Sequence, residues 1–241
     1  MQNLTNNDLH FVVSRLPKDV RSLMTKYNNL MVAGGFIRSI ITREKVSDID
    51  IFGESKDMLE KAAREIALNR KGRIYETDNA VTVLSSPRHP LQFIHRWLYT
   101  NLVSLSDSFD YTVCQAVIAF RDNKWISVCS DMFYPDLAAR RLNYTCPQRS
   151  EDVGGSMLRM RKFLSRGYTI QALSMAKVIA RLVTSIDWKM VESCAENNEH
   201  EATQIITNLL REVDPLTIID GVDFVDEHDI SDNDTSKEIN P

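Results

Sequence analysis

Two aspartates one residue apart, Asp48 and Asp50, lie in the segment Ser47-Asp48-Ile49-Asp50-Ile51-Phe52, where polar and apolar residues alternate. Alternation of that kind predicts a strand, and both carboxylates then leave the same face of it. Carboxylates so placed can share a hard divalent cation. Phosphoryl and nucleotidyl transfer use such a clamp, in which two Mg²⁺ ions about 3.5–4 Å apart hold the attacking and leaving oxygens in line. A complementary feature stands upstream. The short apolar run Leu30-Met31-Val32-Ala33 predicts a buried strand, stops at Gly34-Gly35, and gives way to helical spacing over Phe36–Ile41. Free backbone N–H groups and the helix dipole at such a junction favour an anion. Glycine lets the backbone approach a phosphate with no Cβ between them. Arg38, one turn along, is within reach of the same phosphates.

Each piece alone is ordinary: a solvated strand face, a turn, an exposed helical arginine. Their order makes one device, and the rest of the chain supplies elements to position it. Asn7 or Asp8 can cap an opening helix through Leu9, Val12 and Val13, and Pro17 suits the start of a second. Ser55 caps a helix whose buried stripe is Met58, Leu59, Ala62, Ala63 and Ile66. Ala80–Leu84, Leu91–Ile94 and Tyr111–Phe120 read as strands, and Trp125–Val128 can pair back across Asp122-Asn123. From Ser156 to about Val213 the pattern is helical, with breaks near Gly167 and Asp187. The predicted class is α/β (α+β): a small mixed sheet flanked by helices, then an all-helical subdomain. The divisions fall at residues 1–150, 151–221 and 222–241.

The chain of 241 residues is 43% hydrophobic, enough for a real core, and has no apolar run of membrane-spanning length. Its N-terminus lacks signal-peptide order, and four scattered cysteines form no CxxC pair, so a reduced cytoplasmic protein without structural zinc is expected. The net charge of -4 conceals an asymmetry: residues 222–241 carry seven acids against Lys237. The body is therefore slightly basic and can hold a polyanion locally. The acidic tail is expected to be disordered or ordered by a protein partner. His89 and His95 read as surface residues, and Trp97 and Tyr99 as core packing ahead of base stacking. Ser85-Ser86 and Ser104–Ser108 lack the partners of a hydrolytic triad.

The segment Val32–Phe52, VAGGFIRSIITREKVSDIDIF, resembles the start of the head domain of class II tRNA CCA-adding enzymes and bacterial poly(A) polymerases, members of the DNA polymerase β superfamily. That family opens with a GGxVRD-type turn and helix and continues into a DxD strand. FDYTVCQA at Phe109–Ala116 is similar to its RRDFTINA motif, and MLRMRKF at Met157–Phe163 to its LRxLRxxRF helix. There is also a general likeness to small stand-alone proteins of this kind encoded by bacteriophages, for which the host cytoplasm would be the location. The resemblance implies a nucleotidyltransferase fold, two Mg²⁺ ions on Asp48 and Asp50, and an NTP triphosphate at Gly34, Gly35 and Arg38. It places Asp110, with a catalytic part, and Thr112 near the nucleotide's sugar, and Arg159 and Lys162 along the cleft.

The chain also departs from that pattern. Ser39 stands where the family has the Asp of GGxVRD, Ser108-Phe109 replaces its arginine pair, and Cys114 its Asn. The resemblance implies a third carboxylate on a later strand, but Leu91–Ile94 presents Gln92; Glu76, Asp78 and Asp110 are the substitutes on offer. No clear counterpart of the family's base-templating helix follows Ile170. Programmed CCA addition is therefore not expected. The leading expectation is transfer of NMP from an NTP to an acceptor hydroxyl, at an RNA or tRNA 3′ end. Two others stay open: an AMPylating, toxin-like enzyme acting on protein, and a degenerate module that binds nucleotide without turnover.

Overall fold

The computed structural model describes residues 1–147, 153–189 and 191, and the backbone of Lys237–Ile239. The opening helix α1 (Asn6–Arg15) is capped by Thr5 rather than by Asn7 or Asp8. The Thr5 hydroxyl accepts from the Asp8 backbone N–H at 3.1 Å and donates to the Asp8 carboxylate at 2.7 Å. This reciprocal Thr-x-x-acid bond satisfies a helix-end donor that a cap two or three residues later would leave bare. Helix α2 (Lys18–Lys26) follows Pro17 as expected.

The chain then enters β1 (Met31–Ala33), α3 (Gly35–Thr42), β2 (Ile49–Phe52) and α4 (Lys56–Arg70), the last capped by Ser55. Strands β3 (Arg73–Glu76), β4 (Ala80–Leu84) and β5 (Leu91–Ile94) come next, then the short helix α5 (Leu102–Asp107). The strand expected over Tyr111–Phe120 begins only at Ala116: Thr112–Cys114 is a turn of 3-10 helix, and β6 is Ala116–Arg121. Tertiary hydrogen bonds override the β-formers there. The Thr112 N–H donates to Asn143 O at 3.1 Å, the Thr145 N–H to Asp110 O at 2.9 Å, and the Tyr111 hydroxyl to Ser156 O at 2.7 Å. Strand β6 pairs with β7 (Lys124–Cys129) across Asp122 and Asn123, both at positive φ (50° and 59°), the conformation a two-residue hairpin turn requires. Helix α6 (Phe133–Ala138), β8 (Arg141–Leu142), α7 (Val153–Ser165), β9 (Thr169–Ile170) and α8 (Ala172–Thr184) complete the series. Gly167, at φ 82°, makes the expected break after α7.

Of the acidic tail only Lys237–Ile239 (β10) is described, as a strand antiparallel to β3; the other tail residues, and the helical pattern beyond Val191, lie outside the described residues. The main sheet runs β10-β3-β4-β5-β2-β1-β6-β7, with β2 and β5 parallel and its other neighbours antiparallel. Its two faces differ. Ile49, Ile51, Phe93, Val81 and Val83 point back into a large core built with α1 to α4. Met31, Ala33, Phe52, Val117 and Ala119 point forward into a smaller cluster closed by Leu102 and Leu105 of α5. Among the described residues no helix is long and apolar enough to cross a membrane.

The first residues are stitched to the sheet's far edge. Gln2 and Cys129 exchange backbone hydrogen bonds of 2.7 and 2.8 Å, the Leu4 N–H donates to the Ser127 hydroxyl, and the Thr5 N–H to the Tyr134 hydroxyl.

Candidate functional site

Strands β1 and β2 lie side by side, so the turn leaving β1 and the acids of β2 are neighbours. Gly34 takes φ 74° and ψ -128°, a conformation open to glycine alone. A Cβ added to it would stand 2.9 Å from the Phe109 ring. Phe109 packs edge-on against Phe52, with ring centroids 6.0 Å apart, and so braces the Gly34 turn against the strand that carries the aspartates. Nothing near Phe109 in the sequence announces this role, because both of its partners lie far along the chain. Gly35 opens α3, whose N-terminus has no side-chain cap.

The strand expected from Asp48 begins at Ile49: Asp50 alternates with Ile49 and Ile51, both fully buried, and so lies on the forward face, while Asp48 stands just ahead of the strand; both acids are half-buried. The parallel register sets Gln92 of β5 beside Asp50, then Thr82 of β4 beside Gln92, then Tyr75 of β3 beside Thr82. Paired residues share a face, so the row leading away from Asp50 reads acid, amide, hydroxyl, phenol. Gln92 and Thr82 are buried, 9% and 1% exposed. The other candidates for a third acid are engaged or displaced. Glu76 follows Tyr75 and therefore faces the other way, bound to Arg64 at 2.6 Å. Asp78 lies exposed between β3 and β4. Asp110, 4% exposed, accepts from Arg159 Nε at 2.7 Å.

Among the described residues no three His, Cys, Asp or Glu side chains gather in a group that could hold a metal ion. Two carboxylates and the oxygens of a bound triphosphate suit one Mg²⁺, which is held elsewhere by one or two carboxylates plus phosphates.

Arg38, expected within reach of the triphosphate, is enclosed rather than exposed on its helix. It is 4% exposed beneath α3. Its guanidinium donates to the Cys114 sulfur at 3.7 Å and to the Ser39 hydroxyl at 3.2 Å, and lies 4.8 Å from the Phe163 ring centre. Nε lies 3.6 Å from the Glu44 carboxylate, a gap that leaves Arg38 Nε and Glu44 Oε2 buried without hydrogen bonds. One guanidinium nitrogen nonetheless sits 3.8 Å from where a Gly35 Cβ would be, so Arg38 lies directly under the Gly-Gly turn. Ser39 and Cys114, two of the departures from the family pattern, are both partners of this arginine. Burial pushes the Cys114 thiol up from its ordinary pKa, against the Arg38 charge, so the sulfur acts as a neutral acceptor.

Thr112 also has another engagement. Its hydroxyl donates to Asp136 at 2.5 Å, and Asp136, fully buried, is held by Arg141 at 2.6 and 2.8 Å. Helix α7 packs onto the head at three levels: Ser156 O on the Tyr111 hydroxyl, Arg159 on Asp110, and Phe163 over Arg38. Lys162 is half-buried on the same helix. His95, expected on the surface, is 7% exposed, because its backbone N–H, like that of Arg96, is drawn to Asn79 O at 2.9 Å. Burial pushes the His95 imidazole below its ordinary pKa. Tyr99 packs edge-on against Phe52, as the core-packing expectation has it.

Solved structures similar to this chain include CCA-adding enzymes. A Thermotoga maritima CCA-adding enzyme complexed with tRNA superposes with a TM-score of 0.54 at 17% identity, over 92% of this chain and 54% of that one. A CCA-adding enzyme with ATP gives 0.54 at 16% identity, over 91% and 52%. A third, with CTP, gives 0.53 at 13%, over 87% and 56%. These likenesses establish the nucleotidyltransferase fold. In sequence the chain is 25% identical over 156 residues to Gabija anti-defense 2 of Bacillus phage SPbetaL7, which covers 64% of this chain and 37% of that protein. The chain thus spans little more than a third of that relative and about half of the solved enzymes. The model of the Gabija anti-defense 2 family matches residues 3–140, which hold β1 to β7 of the main sheet and α1 to α6. The chain belongs to the Gabija anti-defense 2 family.

Proposed function

We propose that this protein counters the Gabija defence by binding a nucleoside triphosphate at Gly34-Gly35 and transferring its NMP to a hydroxyl on a protein of that defence. The observation that carries the reading is the adjacency of the Gly34 turn and the Asp48/Asp50 face on neighbouring strands. The family's description names a defence as what is countered, and the acceptor is placed on that defence for this reason, ahead of the RNA 3′ end that the motifs alone suggest. In the transfer, the acceptor oxygen forms a bond to the α-phosphorus while the bridge to the β-phosphate breaks. Pyrophosphate leaves, and the acceptor's proton passes to solvent. The α3 N-terminus receives the triphosphate charge. Phe109 fixes the turn's shape, and buried Arg38 adds a positive charge beneath it. Asp48 and Asp50 would hold a divalent cation, which supplies neutralisation of phosphate charge when bound.

The test is incubation of α-³²P-labelled NTPs and Mg²⁺ with the protein, the purified defence proteins and bulk RNA. Label should enter a defence protein and fall to background with Asp48→Ala or Asp50→Ala, while both variants keep the wild-type melting profile. Label retained in both variants would overturn the mechanism. Label in RNA would move the acceptor to the second reading, which gains support from a neighbour solved with primer tRNA and an ATP analogue. Phage protection that persists in both variants after labelling is lost would favour nucleotide binding without turnover, the reading that Gln92 supports.

A further inference from the structure

Gln92 lies where the sheet would put a third metal ligand, and it carries no charge. We infer that this site takes one divalent cation with its nucleotide rather than two, and that Gln92 sets that number. The inference rests on the reading of Asp48 and Asp50 as cation ligands. Strands β2 and β5 are parallel, with Asp50 and Gln92 in register. Neighbouring strands run about 4.8 Å apart, and residues in register share a face. A carboxylate at position 92 would therefore stand beside that of Asp50, close enough to join it on a second cation.

No other described residue takes that place. Beyond Gln92 the row continues with Thr82 and Tyr75, and on the other side of Asp50 it meets Ala33, Val117 and Val128. Glu76 faces the opposite side with Arg64, and Asp110 is held by Arg159. Two divalent ions repel each other four times as strongly as two unit charges at the same spacing. Anionic ligands must offset that repulsion, and an amide oxygen at position 92 cannot. A single cation has a sufficient set in two carboxylates, phosphate oxygens and water. Buried Gln92 thus leaves room for one cation and withholds the charge needed for the next.

Counting decides this without reference to any acceptor or turnover. The full chain is titrated with Mn²⁺ in saturating non-hydrolysable ATP analogue, and bound Mn²⁺ is read by electron paramagnetic resonance. The wild type should bind one Mn²⁺ per chain, Gln92→Glu two, and Gln92→Leu one. The glutamate variant should melt lower than wild type without Mn²⁺ and gain more from its addition, since bound ligand stabilises the folded state. Two Mn²⁺ in the wild type would overturn the inference and leave the nucleotide-transfer reading standing. One Mn²⁺ in a folded Gln92→Glu would overturn the role given to Gln92. No nucleotide-dependent Mn²⁺ in the wild type would overturn the ligand assignment itself. If Gln92→Glu does not fold, the wild-type count alone still decides the number.

Discussion

The two faces of strand β2 have opposite tasks. Ile49 and Ile51 are fully buried in the core built with α1 to α4, while Asp50, between them, is half-buried on the forward face, with half-buried Asp48 just ahead of the strand. The back face is saturated with apolar contacts, and its alternating register fixes the front face without using front-face side chains. The front face is itself divided. Over β1 and β6 it is closed by Leu102 and Leu105. In the row from Asp50 through Gln92 to Thr82 it is polar. Stability is thus concentrated behind the strand and the candidate site lies in front of it, and a substitution should declare which side it is on.

The sharpest break of that division is a charge on the back face. Ile51→Asp should unfold the head, since an unpaired buried carboxylate together with a lost core side chain costs more than about 4 kcal/mol. Asp50→Ala, one residue away, should move the urea midpoint by an amount equivalent to about 1 kcal/mol or less. Equal losses in the two urea titrations would dissolve the distinction.

A middle-sized effect is expected at Gly34→Ala, which imposes a Cβ at φ 74° and 2.9 Å from Phe109. Roughly 1–3 kcal/mol should be lost. Adding Phe109→Ala should return the part due to the clash, and a double-mutant cycle of urea titrations measures it. Strict additivity would mean that Phe109 does not brace the turn.

The smallest effect concerns a charge kept for stability behind the sheet. Asp19 receives Arg70 in two hydrogen bonds of 2.7 and 2.9 Å, and the Arg70 side chain is fully buried. The hydrogen bond from Arg70 is the main cause holding the Asp19 carboxyl below its ordinary 3.8. A lowered folded value means that the contribution is complete above 3.8 and drains away as pH falls below it, through the folded pKa. Acid titrations of unfolding free energy should therefore be steeper below pH 3.8 for wild type than for Asp19→Asn. Superimposable profiles would show that the pair adds nothing.

What the sequence revealed follows from how local each signal is. The Gly-Gly junction, the Asp48/Asp50 strand, the Ser55 cap and the 122–123 hairpin turn were legible because backbone conformation and side-chain alternation are set within a few residues. Strand β3, with Arg73 and Glu76 among its four residues, and helices α5 and α6, of six residues each, were missed, being too short to show a period. Tyr111–Cys114 was read as strand because its side chains favour one, while its partners at Asn143, Ser156 and Asp136 lie far along the chain. The same distance explains Arg38. Nothing near it in sequence announces that Cys114 and Phe163 will enclose it, whereas the charge missing at Gln92 could be read from a single letter.

The stitching of residues 2–5 to residues 127–134 has a consequence for how the molecule comes into being. The strand edge that receives Gln2 and Leu4 does not exist until β7 has left the ribosome, and the Thr5 N–H waits for the Tyr134 hydroxyl. Residues 2–5 are therefore made before their partners and seated only once the loop between them has closed. Synthesis is directional but completion of this part of the fold is not: these residues wait for almost the entire family-matched span, 3–140, before they find their place.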